Sequence, residues 1–171
     1  MSIINFSNTR QMEGLFDAIN PIKELIESKI NLSRTADREK RINLNQNKVM
    51  RICFIVGLSL PTKRSIDDYM DIQLSVSSIR ITPSFFTMHD LSTLYSALLK
   101  LRYADLNIDW TQNATLSRII AAEMLRGRDY LMSDNNLDSF LYAMNNKVAM
   151  TKDIPVLNLL IGNYGDEEME A

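Results

Sequence analysis

The chain has 171 residues, 46% apolar and 23% charged, so it fits one globular domain and resembles neither disordered chains nor membrane proteins. No apolar run approaches the roughly 18 to 20 residues that a membrane-spanning helix needs. The single cysteine, Cys53, excludes an internal disulfide, and the short polar N-terminus does not resemble a secretory signal. We therefore expect an intracellular, cytoplasmic protein.

Charge is distributed unevenly, although the formal net charge is only -2. Residues 23–64 contain ten basic and four acidic side chains, which gives this segment a charge of +6. Residues 164–171 are acidic and too short and polar to pack. We predict one globular domain over residues 1–163, followed by an acidic flexible tail over 164–171.

The N-terminal region predicts helices, because its apolar residues recur at spacings of three, four and seven. Asn20 as an N-cap and Pro21 at a first helical position divide the pattern into two helices, at about 9–19 and 21–31. The apolar stripe favours packing against the core of the same chain. The alternative is self-association, because heptad-like steps also suit a helix partner across a dimer. The residues of this stripe are Leu15, Ile19, Ile22 and Ile26.

Residues 33–48 are strongly polar and predict a short solvated helix or an exposed connection with an Asn-rich end. Residues 48–61 form the most apolar stretch, which we expect to organise the core. Its β-branched residues and Gly57 favour a buried strand at about 49–56. A buried helix capped by Asn45 or Asn47 is the alternative.

Residues 70–76 and 79–82 alternate between apolar and polar side chains, which predicts strands of a small sheet. Ser77-Ser78 between them indicates either a bulge or a weak turn.

Four C-terminal helices are predicted, at about 88–103, from Asn113 to a C′ glycine at Gly127, after Ser133, and at about 154–161. The predicted fold class is therefore an α-rich α+β domain, with a small central β element and four C-terminal helices.

The residues that usually carry catalysis are sparse. His89, the single histidine, is expected at a helix start on the surface, and Cys53 is expected to be buried and inert. One Cys and one His do not make a zinc site, and no Gly-rich phosphate loop is present. We predict a protein that is not an enzyme and uses no metal or cofactor. An enzyme built on scattered carboxylates is a rival, for which the candidates are Asp67, Asp68, Asp71, Asp90, Asp105, Asp109 and Glu123.

Basic residues suggest contact with the phosphate backbone of RNA or DNA, because the region lacks the aromatic residues that would stack on bases. An ordinary solvated charged helix is an equal alternative for the main segment. A smaller basic spot is predicted in a loop from Leu125 to Tyr130, where the alternative is an Arg–Asp129 pair at a helix end. The predicted nucleic-acid-binding residues are Arg34, Arg38, Lys40, Arg41, Lys48, Lys63, Arg64, Arg126 and Arg128.

The functional prediction is a non-enzymatic, self-associating structural protein that contacts nucleic acid without reading its sequence. Ten Met and many Asn and Ile, which have AT-rich codons, favour a viral, phage or AT-rich bacterial origin. The sparse catalytic residues, the charge asymmetry and the apolar helices at 9–31 suit a coat, matrix or nucleocapsid-associated role. The alternative is a helical adaptor that binds a host or partner protein through Met-rich helices. A helical homo-oligomer without a membrane span is the expected form.

Overall fold

The structure is a computed structural model that describes residues 3–32, 44–60, 76–81, 84–87 and 91–146. These ranges contain the strands β1 (Arg10–Met12) and β2 (Val76–Arg80), and the helices α1 (Leu15–Leu32), α2 (Gln46–Ser59), α3 (Ser84–Thr87), α4 (Leu91–Arg102), α5 (Asn113–Met132) and α6 (Asn136–Asn146). A helix-rich domain with a small β element is thereby confirmed.

The most apolar stretch is the helix α2, so the predicted strand at 49–56 is wrong. The side chain of Asn45 accepts a hydrogen bond from the amide of Asn47 at 2.8 Å, which caps the helix as in the alternative prediction. Every residue from Cys53 to Ser59 is buried. A helix that is covered on all sides loses its apolar–polar period, and its β-branched residues then resemble those of a buried strand.

The N-terminal stripe belongs to one helix, so the predicted division at Pro21 and the predicted helix at 9–19 are also wrong. Pro21 lies inside α1, on its exposed side. The buried residues Leu15, Ile19 and Ile22 lie along the opposite side, which continues past Pro21. Continuous burial of this stripe outweighs the backbone hydrogen bond that a proline removes. Residues Arg10–Met12, which had been assigned to the first helix, form β1.

Helices α2 and α5 cross at two glycines and form the centre of the domain. A Cβ atom built on Gly57 would lie 2.0 Å from the carbonyl oxygen of Glu123, and one built on Gly127 would lie 1.8 Å from that of Cys53. Gly127 is therefore needed for a backbone-to-backbone contact. The prediction that it ends the helix as a C′ residue is wrong, because α5 continues to Met132.

An aromatic cluster packs on one side of this crossing. Phe54 of α2 contacts Phe85, Phe86 and Tyr95, with ring centroids separated by 6.0, 6.2 and 5.2 Å. Phe86 also stacks on Phe6, at 4.5 Å. The cluster joins α2, α3 and α4 to the N-terminal segment.

The sheet has two strands within the described residues, and β1 pairs with β2 in antiparallel fashion. Met12 lies opposite Val76 and Arg10 opposite Arg80, so β2 advances four residues while β1 advances two. This irregular register agrees with the bulge that Ser77-Ser78 predicted. The partner of β2 is β1, whereas residues 49–56, which were predicted as part of the β element, are helical. Residues 70–75, the rest of the predicted strand, lie outside the described residues.

Three of the C-terminal helices are present as α4, α5 and α6, although their ends differ from the predictions. Helix α4 begins at Leu91, and Ser133 precedes α6 and donates its hydroxyl to the carbonyl of Tyr130 at 2.8 Å. The helix predicted at 154–161 and the tail at 164–171 lie outside the described residues. Among the helices described, none has the length and apolar character to cross a membrane.

Candidate functional site

The two-stranded ribbon brings two arginines face to face. The amide of Ile81 donates to the carbonyl of Thr9 at 2.9 Å, while the amide of Thr9 turns back to the carbonyl of Phe6 at 3.1 Å. Arg10 and Arg80, the next pair along, then occupy a non-hydrogen-bonded position, where opposite side chains come closest. Arg80 is exposed and Arg10 is half-buried.

The ribbon is held on α5 by a hydrogen bond to Ser117, the residue that precedes a third arginine. The amide of Arg10 donates to Oγ of Ser117 at 2.9 Å, and this hydroxyl donates to the carbonyl of Asn113 at 2.6 Å. Arg118, the residue after Ser117, is exposed. We call Arg10, Arg80 and Arg118 the arginine patch.

Arginines opposite each other in an antiparallel pair bring two positive charges to one position of the ribbon. Guanidinium groups remain charged at all ordinary pH values and bind phosphate or carboxylate oxygens with paired hydrogen bonds. The patch therefore has the chemistry of an anion-binding surface.

Most of the basic residues predicted from the sequence cannot be placed beside this patch, because they lie outside the described residues. These are Arg34, Arg38, Lys40, Arg41, Lys63 and Arg64. Lys48 is described, and it is exposed in the first turn of α2. For these six residues and for Lys48, contact with nucleic acid stays a prediction.

Arg126 and Arg128 lie in helix α5, so the predicted loop from Leu125 to Tyr130 is wrong. Arg126 is only 6% exposed, and its Nη1 lies 3.8 Å from Oε2 of Glu123, so it is directed into the core and not toward a phosphate in solvent. Arg128 donates to the carbonyl of Ala18 at 3.0 Å and pairs with Asp129 at 2.5 Å. The Arg128–Asp129 pair, which was the alternative prediction, is confirmed.

The residues predicted for self-association are covered within the chain. The side chains of Leu15, Ile19, Ile22 and Ile26 are at most 2% exposed, and they pack in the common core. They offer no surface to a second copy, because burial of α1 against α2 and α5 already removes their apolar area from water. The core interpretation of this stripe is confirmed.

A buried ionic cluster joins α2, α4 and α5. Oε1 of Glu123 accepts a hydrogen bond from the hydroxyl of Tyr103 at 2.5 Å and lies 2.6 Å from Nε of Arg102. Nη1 of Arg102 donates to the carbonyl of Leu60 at 2.7 Å, at the end of α2. Glu123 is 1% exposed, so the cluster is a tie between helices inside the core.

Burial controls the titration of this cluster. It raises the pKa of the Glu123 carboxyl, although Arg102 and Tyr103 both favour the carboxylate. Burial and the neighbouring Glu123 raise the pKa of the Tyr103 hydroxyl, which keeps its proton and remains a donor. Perturbed pKa values occur both at active sites and in structural ion pairs, and the packing of Glu123 matches the second case.

The remaining reactive groups are separated. Cys53 is buried at the helix crossing, where burial raises the pKa of its thiol to about 12, in agreement with the predicted inert thiol. Asp105 and Asp109 are exposed, unlike the buried Glu123. His89, Asp67, Asp68, Asp71 and Asp90 lie outside the described residues. Over the described ranges, no three His, Cys, Asp or Glu side chains are grouped to hold a metal ion.

Comparisons with family models, with curated proteins and with solved structures found no match for this chain. The interpretation of the site therefore rests on its own geometry.

Two features were missed in the sequence, for different reasons. Glu123 follows Ile119-Ile120-Ala-Ala in an otherwise apolar run, and a carboxylate in such a place is a signal for a buried ion pair. The arginine patch has no comparable signal. Arg10 and Arg80 are 70 positions apart, and their meeting depends on a strand in a segment whose pattern predicts a helix.

Proposed function

We propose that the protein is a non-enzymatic structural protein that binds the phosphate backbone of nucleic acid without reading its sequence. The observation that carries the proposal is the arginine patch, in which Arg10 and Arg80 are opposite each other and Arg118 is exposed on the adjoining helix. A polyanion suits arginines on the ribbon and on the adjoining helix, because several phosphates can neutralise several charges at once.

The surroundings of the patch support backbone contact over base recognition. Phe6, Phe85 and Phe86 lie near the ribbon in the sequence, but each is at most 6% exposed and is engaged in the aromatic cluster. Bases bound without sequence preference usually stack on exposed aromatic rings. Phosphate oxygens, which need only guanidinium donors, are the better match.

The positions of the perturbed groups support a role other than catalysis. Glu123, Tyr103 and Cys53 have raised pKa values because they are buried, and their contacts are with the core. A general acid or nucleophile must reach a substrate. A coat, matrix or nucleocapsid-associated role inside the cell is the setting we propose for such a protein.

The proposal is tested by measuring the affinity of the full chain for a fluorescein-labelled 20-nucleotide RNA of mixed sequence, by anisotropy at several salt concentrations. The logarithm of the affinity should fall with the logarithm of salt, with a slope of about -0.7 per phosphate contacted on a single strand. If all three arginines bind, the double variant Arg80→Gln/Arg118→Gln should make this slope less negative by about 1.4.

The control has the same change in net charge at a different place. Lys23→Gln/Lys29→Gln removes two basic residues of α1 whose partners are the surface carboxylates Glu27 and Asp138. It should retain the affinity of the wild type within about threefold, because these lysines already pair with carboxylates and do not belong to the arginine patch. Undetectable binding at 50 mM salt, or equal loss in both double variants, would refute the proposal.

A further variant distinguishes the arginine patch from the basic segment that was predicted from the sequence. Arg38→Gln/Lys40→Gln/Arg41→Gln changes only the basic segment predicted from the sequence. If this variant abolishes binding while Arg80→Gln/Arg118→Gln does not, the arginine patch is not the nucleic-acid site.

A further inference from the structure

Two members of the arginine patch lack a carboxylate partner. Among the residues that the structure describes, neither Arg80 nor Arg118 forms an ion pair with an Asp or Glu side chain, and both are exposed. Other basic side chains of the domain do have such partners. They include Lys23, Lys29, Arg102 and Arg128. The described part of the fold therefore leaves the charge of these two arginines without a neutralising carboxylate.

The sequence around each of these arginines explains why. Residues 72–89, which include Arg80, contain no Asp or Glu, and neither do residues 110–122, which include Arg118. On a helix the nearest side-chain neighbours are three and four positions away. For Arg118 these are Ala114, Thr115, Ala121 and Ala122. A counter-charge must therefore come from a distant part of the chain or from another molecule.

The densest group of carboxylates in the chain is the acidic tail over 164–171. It contains four acidic side chains and no basic one. They are Asp166, Glu167, Glu168 and Glu170. Because the whole chain has a formal net charge of -2, the removal of these four charges leaves +2 on residues 1–163. The tail and the rest of the chain therefore have opposite net charges, and carboxylates are good partners of guanidinium groups.

We propose that the acidic tail binds Arg80 and Arg118 of its own molecule and competes with nucleic acid for the arginine patch. Carboxylates and phosphates use the same guanidinium donors, so one excludes the other. The basic segment over 23–64 is a poorer target for the tail, because it contains four acidic side chains of its own. The competition rests on the proposed function, whereas the contact between the tail and the arginines does not.

The connection to the tail is long enough for this contact. Helix α6 ends at Asn146, and 17 residues, 147–163, separate it from the tail. Such a segment spans up to about 60 Å when it is extended, and about 40 Å if the predicted helix at 154–161 forms. A domain of this size has a radius of gyration of about 15 Å. The tail can therefore reach a patch on any side of the domain.

The strength of the competition follows from the short connection. A ligand tethered in this way has an effective concentration of the order of a few mM at its site. If the detached tail had a dissociation constant of about 0.3–1 mM, the tethered tail would occupy the patch most of the time. The affinity of the patch for RNA is then reduced about three- to tenfold.

A nitroxide label on Ala171→Cys reports the contact without any nucleic acid. The native Cys53 is buried with a raised thiol pKa, so it should not react with the label. At 50 mM salt the nitroxide should broaden the backbone amide signals of Arg80 and Arg118 in nitrogen-15 spectra. In 0.5 M salt, where the screening length is about 4 Å, these signals should recover.

The matched variant neutralises the tail and keeps its length. We call Asp166→Asn/Glu167→Gln/Glu168→Gln/Glu170→Gln the neutral-tail variant. With the same label it should show no broadening at Arg80 and Arg118. Broadening in the native tail that is absent from these two arginines, or that is confined to residues 34–64, overturns the proposal. So does broadening between a labelled chain and a second, nitrogen-15-labelled chain, because the contact would then join two copies.

The competition is measured with the fluorescein-labelled RNA. The neutral-tail variant should bind it about three- to tenfold more tightly than the wild type at 0.1 M salt. In the Arg80→Gln/Arg118→Gln background the same tail substitutions should give no gain, because additivity fails for groups that contact each other.

A second set of four neutral substitutions controls for net charge. Asp17→Asn/Glu24→Gln/Asp109→Asn/Asp134→Asn changes four exposed carboxylates of the domain. It should raise the affinity less than about twofold, because exposed charges farther away than about 10 Å are screened at this salt concentration.

The results separate the two proposals. If the wild type and the neutral-tail variant both fail to bind RNA, the proposed function and the competition are wrong, and the nitroxide label alone decides whether the tail contacts the arginines. If both bind RNA equally, or if the gain persists in the Arg80→Gln/Arg118→Gln background, the competition is refuted and binding of nucleic acid stands.

Discussion

The crossing of α2 and α5 allows a sharp prediction, because each helix carries a glycine where the other helix passes. In Gly127→Ala the new methyl group would lie 1.8 Å from the carbonyl oxygen of Cys53, 2.7 Å from its carbonyl carbon and 2.8 Å from the amide nitrogen of Gly57. All three are backbone atoms of α2. No side chain can rotate to remove the clash, so the two helices must separate.

The cost follows from the size of this overlap. Ordinary contact of a Cβ atom begins at 3.4 Å, so the oxygen of Cys53 is about 1.6 Å too close. Overpacking a core costs about 1–3 kcal/mol and occasionally more. Replacing glycine by alanine inside an open helix instead stabilises by about 1 kcal/mol. Because the helices meet through backbone, we expect a net loss of roughly 2 kcal/mol or more.

Urea denaturation followed by circular dichroism measures this difference. The control is Ser28→Ala, an alanine substitution at an exposed position of α1, which should change the free energy of unfolding by less than about 0.5 kcal/mol. If Gly127→Ala equals or exceeds the wild type in stability, the helices do not touch at this glycine and the proposed packing is wrong. Gly57→Ala, whose methyl group would meet the carbonyl of Glu123 at 2.0 Å, should behave in the same way.

Two further predictions concern the buried groups. Tyr103→Phe removes the donor to Glu123 and should lower the free energy of unfolding by about 1.5–3 kcal/mol. The pKa of the Glu123 carboxyl, followed by carbon NMR, should rise further, because the hydrogen bond from Tyr103 favours the carboxylate. The control is Tyr142→Phe at an exposed position, which should change neither the free energy of unfolding nor the pKa of Glu123. An unchanged pKa in Tyr103→Phe would contradict the contact. The second prediction concerns alkaline pH. The folded-state pKa of Cys53 is raised from 9.0 to about 12, so its contribution to stability is complete below pH 9 and is lost as the pH rises to 12. In that window the wild type should lose about 1.4 kcal/mol per pH unit more than Cys53→Ala, and parallel pH profiles would show that the thiol is not buried.

The corrections to the predicted elements share one physical origin. In α2 every residue from Cys53 to Ser59 is buried, so this part of the helix lacks the apolar–polar pattern that separates helix from strand. At Pro21 a local helix breaker is overruled by continuous burial of α1. At Gly127 a glycine that resembles a helix end serves instead to admit the backbone of α2. In each case the local sequence pattern was present, but tertiary packing determined the structure that formed.

The candidate sites differ in how much of them was predictable. The inert Cys53 was expected from its apolar neighbours and is confirmed. The arginine patch depends on a long-range strand pairing that no local pattern indicates.

By itself the sequence determined that this chain is a helix-rich domain with a small β element, because helical spacing and turn residues are local properties. It also determined that the N-terminal stripe favours the core. The tertiary structure alone decided that α2 is a helix, that Arg126 and Glu123 are buried together, and that Arg10 meets Arg80. These features depend on contacts between residues far apart in the chain, and such contacts arise only when the helices pack around the α2–α5 crossing.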